Sequence, residues 1–168
     1  MENLVVRRVG KKGMGVFSNK PFKKGQMILR INTRDRITKK NESKMTNYDW
    51  NHVNAWGCKK YYRMKPPEKF INHSCNPNSF DKGGLLYAMK RIKKGDEVTL
   101  DYSIGGVEDW KMVCKCGGGN CRKIVRGKFL LLPEKLQKKY RPYLEEWYIE
   151  KVLKKGRNIH GSPRKRQK

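Results

Sequence analysis

Short apolar stretches that favour β-strands recur along the chain, and turn-forming residues lie between them. The stretches with this pattern are residues 4–9, 15–17, 27–31, 85–92 and 97–102. The last two are separated by the turn Lys93–Asp96 and predict a strand–turn–strand unit. We therefore expect the first two thirds of the chain to be mainly β.

The period of the pattern changes near the C-terminus. After Pro133, large apolar side chains recur at helical spacing at Leu136, Tyr140, Leu144 and Trp147, with Tyr143 beside them. This predicts a helix over residues 133–153 whose apolar stripe packs on the core.

Two other regions lack a regular pattern. Residues 33–65 are polar and irregular with clustered aromatic side chains, which predicts an insert of loops and short pieces. Residues 157–168 are rich in Arg and Lys, and we expect them to be mobile.

The length of 168 residues fits one domain with a tail, and a hydrophobic fraction of 36% allows a real core. The formal net charge is +26, and the chain without residues 154–168 still carries +19, because that segment holds seven Lys or Arg and no acid. A domain this basic attracts polyanions, so DNA, RNA or an acidic protein surface is an expected neighbour. A general bias toward solubility is the alternative explanation.

The cysteines indicate a metal site. The sequence contains no apolar run of the ~20 residues that cross a membrane and no signal-peptide pattern at its start, so we expect an intracellular protein with reduced thiols. Cys114, Cys116 and Cys121 lie close together among glycines and suit tetrahedral Zn²⁺, which needs a fourth ligand. From the residues alone, Cys75 and Cys58 are both candidates for that ligand, and a set of free thiols is the alternative.

Three further segments are ambiguous when taken singly. Gly13-Met14-Gly15 is typical of a turn, or of a backbone that approaches a ligand closely, but it is not a Rossmann fingerprint. The segment Asn72–Asn78 contains turn-forming residues. Residues 97–102 read as an amphipathic strand that ends in Tyr102.

Taken together, these segments resemble a protein family. The string F-I-N-H-S-C-N-P-N at residues 70–78, followed by E-V-T-L-D-Y at 97–102 and by C-x-C-x4-C at 114–121, is similar to the SET domain with its post-SET cysteine cluster. The likeness covers roughly residues 4–126, and residues 129–147 resemble the extension of small, stand-alone microbial members. SET domains methylate protein lysines with S-adenosylmethionine.

The resemblance implies a mainly β fold of several short curved sheets with a pseudoknot, a zinc-binding post-SET loop and a C-terminal helix. In the pseudoknot, residues 72–78 thread with the strand that leads to Tyr102. The implied divisions are a SET domain at 1–112, a zinc segment at 113–128, a helical extension at 129–156 and a basic tail at 157–168.

The resemblance also implies roles for individual residues. The implied S-adenosylmethionine contacts are Lys12, Gly13, Met14, Gly15, Asn72, His73 and Tyr102. Tyr102 is also the implied catalytic residue, and the implied lysine channel contains Tyr61, Tyr62 and Leu100, with Trp56 nearby. Packing in the core is the alternative for these aromatic residues. Among the cysteines, the resemblance selects Cys75 as the fourth zinc ligand beside Cys114, Cys116 and Cys121.

Three positions depart from the family pattern. Met14 stands where an aromatic residue is frequent, and Lys69 stands where arginine is usual, which keeps the charge but loses the planar guanidinium. Leu100 occupies a position at which Phe or Tyr often influences how many methyl groups are added, so the sequence leaves the product open.

Two functions of different class follow. The first is a protein-lysine methyltransferase, whose substrate is a chromatin protein, another nucleic-acid-bound protein, or a ribosomal or other protein. The second is a non-enzymatic basic zinc module that binds DNA or chromatin and has a degenerate pocket.

Overall fold

The computed structural model describes residues 3–55 and 60–154. Its strands are β1 Leu4–Arg8, β2 Met14–Ser18, β3 Met27–Arg30, β4 Val53–Ala55, β5 Tyr61–Arg63, β6 Asn72–His73, β7 Ser79–Lys82, β8 Leu85–Ala88, β9 Thr99–Leu100, β10 Lys111–Val113 and β11 Ile124–Arg126. Its α-helices are α1 Lys39–Glu42, α2 Asn47–Trp50, α3 Glu134–Tyr140 and α4 Glu146–Tyr148, and α4 continues as a π-helix over Ile149–Lys154. Single 3-10 turns lie at Gly10–Lys12, Glu68–Phe70, Phe129–Leu131 and Arg141–Tyr143.

The strands form several small sheets instead of one large one. Antiparallel pairs join β1 with β2, β4 with β5, and β10 with β11, and a three-stranded sheet has the order β3-β8-β7. The strands β6 and β9 pair in parallel, with Asn72 opposite Thr99 and His73 opposite Leu100. Ser74 and Asn78 extend this contact, because their N–H groups donate to the carbonyls of Leu100 and Thr99. The segment Asn72–Asn78 therefore lies alongside the strand that leads to Tyr102, as the sequence predicted.

The main apolar core lies between the first hairpin and the three-stranded sheet. Its buried members are Leu4, Val16, Phe22, Ile28, Ile71, Leu86, Ala88, Ile92 and Val98. These residues come from five of the predicted strand regions and from the turns between them, so the strand patterning did locate the core.

The predicted strand–turn–strand unit at 85–102 is only partly correct. The strand β8 ends at Ala88 and pairs with β3 and β7, whereas β9 contains only Thr99 and Leu100 and pairs with β6. The intervening segment turns away instead, because Ile92 and Gly95 form backbone hydrogen bonds with Phe22 and Ser18. Long-range pairing thus prevailed over the local turn signal.

The C-terminal helix is broken where the sequence predicted a continuous one. Pro142 lacks a backbone N–H, and the chain changes there from α3 to the 3-10 turn Arg141–Tyr143. The predicted apolar stripe is confirmed nevertheless. Of its residues, Tyr140 and Leu144 are fully buried in one cluster with Phe129, and Leu136, Tyr143 and Trp147 are partly buried against it. Tyr148, which was not predicted, is buried in the same cluster.

The insert at 33–65 contains short pieces, as predicted: α1, α2 and the hairpin β4–β5. The predicted channel residue Trp56 and the predicted mobile tail at 157–168 lie outside the described residues. Within residues 3–55 and 60–154, no helix is long and apolar enough to cross a membrane.

Candidate active site and metal centre

A cleft of about 650 Å³ lies between the N-terminal turn, the insert and the C-terminal helical segment. Six of the implied cofactor and channel residues line it: Lys12, Met14, Tyr61, Asn72, Leu100 and Tyr102. Tyr61, Asn72 and Leu100 lie in β5, β6 and β9. Met14 begins β2, Lys12 lies two residues before it, and Tyr102 lies two residues after β9. The small sheets thus bring together positions up to ninety residues apart in the chain.

Asn72 joins the first motif to the second. Its side-chain Nδ2 donates to the carbonyl of Met14 at 2.9 Å and to Oε1 of Glu97 at 2.8 Å. The other oxygen of Glu97 pairs with Lys12 Nζ at 2.7 Å. Lys12, Met14 and Asn72, which form one wall of the cleft, are therefore joined in one connected polar group through the carboxylate of Glu97, which does not itself line the cleft.

Gly15 is required by close packing at this wall. A Cβ atom at this position would lie 2.5 Å from Val9 Cγ2, 2.9 Å from Glu97 Oε1 and 3.1 Å from Asn72 Nδ2. Any side chain at this position would push the polar group apart. Gly13 adopts a φ of +82°, which only glycine adopts readily, and so turns the chain into β2.

His73 lies beneath the cleft and does not line it. Its side chain is 2% exposed, and Nδ1 accepts a hydrogen bond from the backbone N–H of Tyr102 at 3.3 Å. Burial lowers the pKa of His73 to about 4, with Asp101 opposing the shift and Arg122 adding to it. The ring is thus neutral at pH 7, and because Nδ1 accepts, Nε2 carries the proton and faces Cys75 Sγ at 3.4 Å.

The hydroxyl of Tyr102 is fixed by the segment that precedes Asn72. It donates to the carbonyl of Ile71 at 2.7 Å, and Trp110 approaches the phenol ring edge-on with 6.5 Å between centroids. Burial, helped by the negative charge of Glu97, raises the pKa of Tyr102 to about 12, and a hydrogen bond from the backbone of His73 to the phenol opposes the shift. The phenol is therefore protonated at neutral pH and can position a partner but cannot serve as a base.

The four predicted cysteine ligands come together. The sulfurs of Cys75, Cys114, Cys116 and Cys121 all lie within 4.8 Å of one another. A tetrahedral Zn²⁺ with four bonds of about 2.3 Å separates its sulfurs by about 3.8 Å, and the Sγ atoms of Cys75 and Cys114 are 3.7 Å apart. The donor set and the spacing both fit a closed structural metal site. Cys58, the other candidate left open by the residues, lies outside the described part of the chain.

Backbone groups and one arginine surround this cluster. The N–H of Arg122 donates to Cys75 Sγ at 3.3 Å, and the N–H of Lys123 donates to Cys121 Sγ at 3.4 Å. The guanidinium of Arg122 forms two hydrogen bonds of 2.7 Å with the carboxylate of Asp101, whose side chain is fully buried. The residue after the last cysteine is thus tied to the residue before Tyr102.

The structure separates the two neighbouring tyrosines of the implied channel. Tyr61 lines the cleft, whereas Tyr62 is 4% exposed and does not line it. The cause is the alternation of β5, which points successive side chains to opposite faces. Burial, with the negative charges of Asp81 and Glu68 adding to it, raises the pKa of Tyr62. Packing in the core, the alternative considered for these aromatic residues, thus describes Tyr62.

The cleft differs in charge from the rest of the molecule. Its acidic lining residues are Glu68, Asp81, Asp101, Glu108 and Glu145, and its lysines are Lys12, Lys69 and Lys111. The whole chain, by contrast, has 41 basic and 15 acidic residues. Burial raises the pKa of Glu68 and Asp81, and a cation in the cleft would counteract that shift. Asp101 is buried and paired with Arg122, and the other four acids still outnumber the three lysines of this cleft, unlike in the chain as a whole.

The sequence did not single out three residues that contact the predicted site: Glu97, Trp110 and Arg122. Glu97 begins the segment 97–102 and Arg122 follows the last cysteine of the cluster, but a carboxylate in a strand and an arginine after a cysteine are too common to stand out. The sequence gives no signal for Trp110, because its place beside Tyr102 depends on close packing of the Trp110 ring against the backbone of a distant segment. A Cβ on Gly127, in that segment, would lie 2.3 Å from the Trp110 ring.

Comparison with known proteins gives a consistent result. A family model described as "SET domain" matches residues 13–103. A Candida albicans histone-lysine N-methyltransferase, H3 lysine-36 specific, is 29% identical over 150 residues that cover 73% of this chain and 17% of that protein. Histone-lysine N-methyltransferase trithorax of Drosophila virilis is 30% identical over 137 residues that cover 67% of this chain and 3% of that protein. The chain thus spans under a fifth of the length of these relatives.

Solved structures share the fold. The methyltransferase domain of human SETMAR has a TM-score of 0.59 at 20% identity, over 76% of this chain and 59% of that one. KRYPTONITE in complex with mCHG DNA and SAH has a TM-score of 0.56 at 24% identity, over 73% of this chain and 29% of that one. These values confirm the predicted fold class, with its small sheets and C-terminal helical segment.

Proposed function

Because this chain belongs to the SET-domain family, we propose that it is an S-adenosylmethionine-dependent methyltransferase that acts on the ε-amine of a lysine in a protein. The observation that carries the proposal is the single cleft in which Lys12, Met14 and Asn72 meet Leu100 and Tyr102. The histone-lysine methyltransferases to which the chain is similar support the reaction class.

The co-substrate fits the polar wall of the cleft. An ammonium, an amide and a backbone carbonyl at Lys12, Asn72 and Met14 match the carboxylate and amine of a methionine group. His73 is neutral and buried behind them, and Gly13 and Gly15 keep the hairpin close. In our proposal these residues hold the methyl donor, which supplies an activated methyl group to the amine.

The chemical problem is the proton on the substrate amine. An ordinary lysine with a pKa near 10.4 costs about 4.6 kcal/mol to deprotonate at pH 7. A narrow cleft that excludes water and holds a sulfonium beside the amine lowers that cost. Tyr102, held by Ile71, then orients the neutral amine for an in-line displacement, where alignment supplies much of the rate.

The cysteine cluster is proposed to bind Zn²⁺. The metal would hold the segment of β10 and β11 on the motif Asn72–Asn78 through Cys75, and would secure the contact between Arg122 and Asp101. Its role is structural, since four thiolates leave no open position for a substrate.

The substrate is proposed to be a cationic protein segment, and a chromatin protein is the class that we favour. The acids of the cleft, among them Glu108 and Glu145, offset the repulsion that a net charge of +26 would otherwise impose on a basic tail. The relatives named as histone-lysine methyltransferases support this choice, and with it an intracellular location. The predicted boundaries at residues 112, 128 and 156 stay predictions.

A second candidate is a non-enzymatic basic zinc module that binds DNA or chromatin. The charge of +26 favours it. It predicts steep salt dependence of DNA binding without any transfer of labelled methyl groups, so one assay separates the two functions.

The test is incubation of the protein with labelled S-adenosylmethionine and a lysate from its own source, followed by mass spectrometry of the labelled proteins. We expect labelled lysines with the native chain. Tyr102→Phe is expected to reduce transfer at least about a hundredfold, because the amine loses its orienting hydroxyl, while the fold and cofactor binding are retained. Tyr87→Phe is the matched control, since Tyr87 does not line the cleft. Full activity of Tyr102→Phe, or no transfer by the native chain, would refute the assignment.

A further inference from the structure

Two distant segments with similar sequences lie side by side on the surface. Residues 18–26 contain P-F-K-K-G-Q and residues 88–96 contain R-I-K-K-G-D. They run antiparallel, joined at Phe22 and Ile92, which exchange backbone hydrogen bonds of 2.9 and 3.0 Å. We refer to residues 18–26 and 88–96 together as the paired-turn ribbon.

The ribbon is fixed at both ends and in the middle. At one end Gly95 N–H donates to Ser18 O at 2.7 Å, and at the other Gly25 N–H donates to Ala88 O at 2.8 Å. Phe22 and Ile92 are almost completely buried and anchor the centre in the core. Each turn also contains the same internal hydrogen bond, because the N–H groups of Lys23 and Lys93 donate to the side chains of Gln26 and Asp96 respectively.

The side chains that point outward are basic. The seven basic residues of the ribbon are Lys20, Lys23, Lys24, Lys90, Arg91, Lys93 and Lys94, and all except the half-buried Lys20 are exposed. None of the seven forms an ion pair with a carboxylate of the described residues. The single acid of the ribbon, Asp96, directs Oδ2 to the backbone N–H of Lys93. The cationic charge is therefore dense and not neutralised.

The chemistry of the ribbon matches a nucleic-acid backbone. Because the ribbon backbone is held by its own hydrogen bonds, binding does not have to order it, and the loss of conformational freedom is confined to the side chains. A phosphate backbone requires no more of its partner than a row of cations. An acidic protein surface would normally find aromatic or apolar anchors as well, and Phe22 and Ile92 are buried.

We propose that the paired-turn ribbon binds the phosphodiester backbone of nucleic acid through Lys23, Lys24, Lys93, Lys94 and their basic neighbours. None of the ribbon residues lines the cleft, so nucleic acid and a protein substrate can be bound together. The proposal names the partner of the basic surface and does not require that the protein transfers methyl groups.

The test compares two variants of equal net charge. The ribbon variant carries Lys→Gln at residues 23, 24, 93 and 94, and the control variant carries Lys→Gln at residues 39, 40, 44 and 135, which are also exposed. Fluorescence anisotropy measures binding of the full chain to a 20-base-pair DNA duplex and to an RNA duplex of the same length over a range of salt concentrations. Thermal unfolding confirms that both variants fold.

We expect the ribbon variant to bind at least about tenfold more weakly than the control variant, and the slope of log K against log salt to fall by about 3 to 4. The arm with the stronger binding identifies DNA or RNA as the source of the backbone. Equal weakening in both variants, or stronger binding to polyglutamate than to either duplex, would overturn the proposal. Methyl transfer to a free peptide should be unchanged in the ribbon variant, and its absence in the native chain would count against the enzyme proposal alone.

Discussion

Two arginines close to each other in sequence pair with aspartates at very different depths. Arg122 contacts Asp101, whose side chain is fully buried, whereas Arg126 contacts Asp109 with both side chains about half exposed. A buried carboxylate that loses its partner keeps its desolvation penalty, but an exposed one is rehydrated by water.

We therefore expect Arg122→Met to lower the free energy of unfolding by about 3 to 5 kcal/mol and Arg126→Met by about 1 kcal/mol or less. Arg122→Lys should recover only part of the loss, because lysine lacks the planar fork that meets both oxygens of Asp101. Urea unfolding monitored by circular dichroism checks all three variants. Equal losses of unfolding free energy in Arg122→Met and Arg126→Met would show that burial of the aspartate does not decide the cost.

Tyr102 leads to a prediction about pH. Burial and the charge of Glu97 raise its pKa to about 12, so it stays protonated at neutral pH, and in the proposed reaction only the substrate amine has to lose a proton. The rate of methyl transfer should rise about tenfold per pH unit from pH 7 until the amine is neutral. Initial rates between pH 7 and 10 measure this.

Replacing the substrate lysine with its S-aminoethyl-cysteine analogue, whose amine is less basic, should move the break in the profile to lower pH. A break that stays at the same pH with both peptides would belong to a protein group and would contradict this interpretation.

Residue types in a motif were predictable, but their contacts were not. The sequence singled out Asn72, His73 and Tyr102 because their neighbours in the chain are distinctive. Glu97 and Trp110 have ordinary neighbours, and their importance arises from side chains of other segments that approach them in space. Tyr62 shows the opposite case, since its position beside Tyr61 suggested a channel that strand alternation denies it.

At the scale of elements, the hairpin of β10 and β11 depends on the cysteine cluster. It has only three paired residues per strand, and its exposed apolar side chains, Val113 and Ile124, do not help to hold it. The apolar cluster beneath it consists mainly of the cysteines themselves and Val125. A two-stranded hairpin of this size is marginal without a further tie.

We expect the native protein to contain one zinc per chain and to lose it in Cys116→Ser or on chelation. Amide hydrogen exchange should then accelerate in residues 111–126, while β1 and β2 stay protected, and methyl transfer should fall because Arg122 no longer holds Asp101 in place. Lys115→Ala, a change at an exposed neighbour, is the control and should leave zinc and exchange unchanged. If the native protein contained no zinc and residues 111–126 were nevertheless protected from amide exchange, the proposed metal site would be wrong.

Local patterning predicted the elements unevenly. It located the strands β1, β2, β3 and β8 because short apolar stretches lie between turn-forming residues, and it located the apolar stripe on α3 and α4 because that stripe leaves a helical period in the sequence. It overestimated the strand at 97–102 and the continuity of the final helix, which is broken at Pro142. The pairing of residues 88–96 with residues 18–26 was not predictable, since it joins segments seventy residues apart.

At the scale of the whole molecule, charge is unevenly distributed. The paired-turn ribbon is cationic, and the cleft holds five acids and three lysines. Composition gives only the net value of +26, which by itself argues against a basic substrate. The fold resolves that conflict by placing acids where the substrate would enter.

A peptide with one lysine between arginines should therefore have a KM at least about tenfold lower than a peptide with the same lysine between glutamates, and the difference should shrink as salt screens the cleft. Glu108→Gln should reduce the difference in KM between the two peptides. Glu150→Gln should not, because Glu150 lies outside the cleft lining. Steady-state kinetics with the two peptides measures this. A preference for the acidic peptide would contradict the proposed substrate class.

The sequence by itself determined the family, the fold class and the four cysteines, because three ordered motifs and a cluster of thiols are rare combinations whose chemistry is carried by residue type and spacing. The tertiary structure decided which side chains share a site. It tied Lys12 and Asn72 to Glu97, turned Tyr62 into the core, linked Arg122 to the residue before Tyr102, and separated an acidic cleft from a basic ribbon. These outcomes depend on contacts between segments far apart in the chain, and no local pattern encodes them.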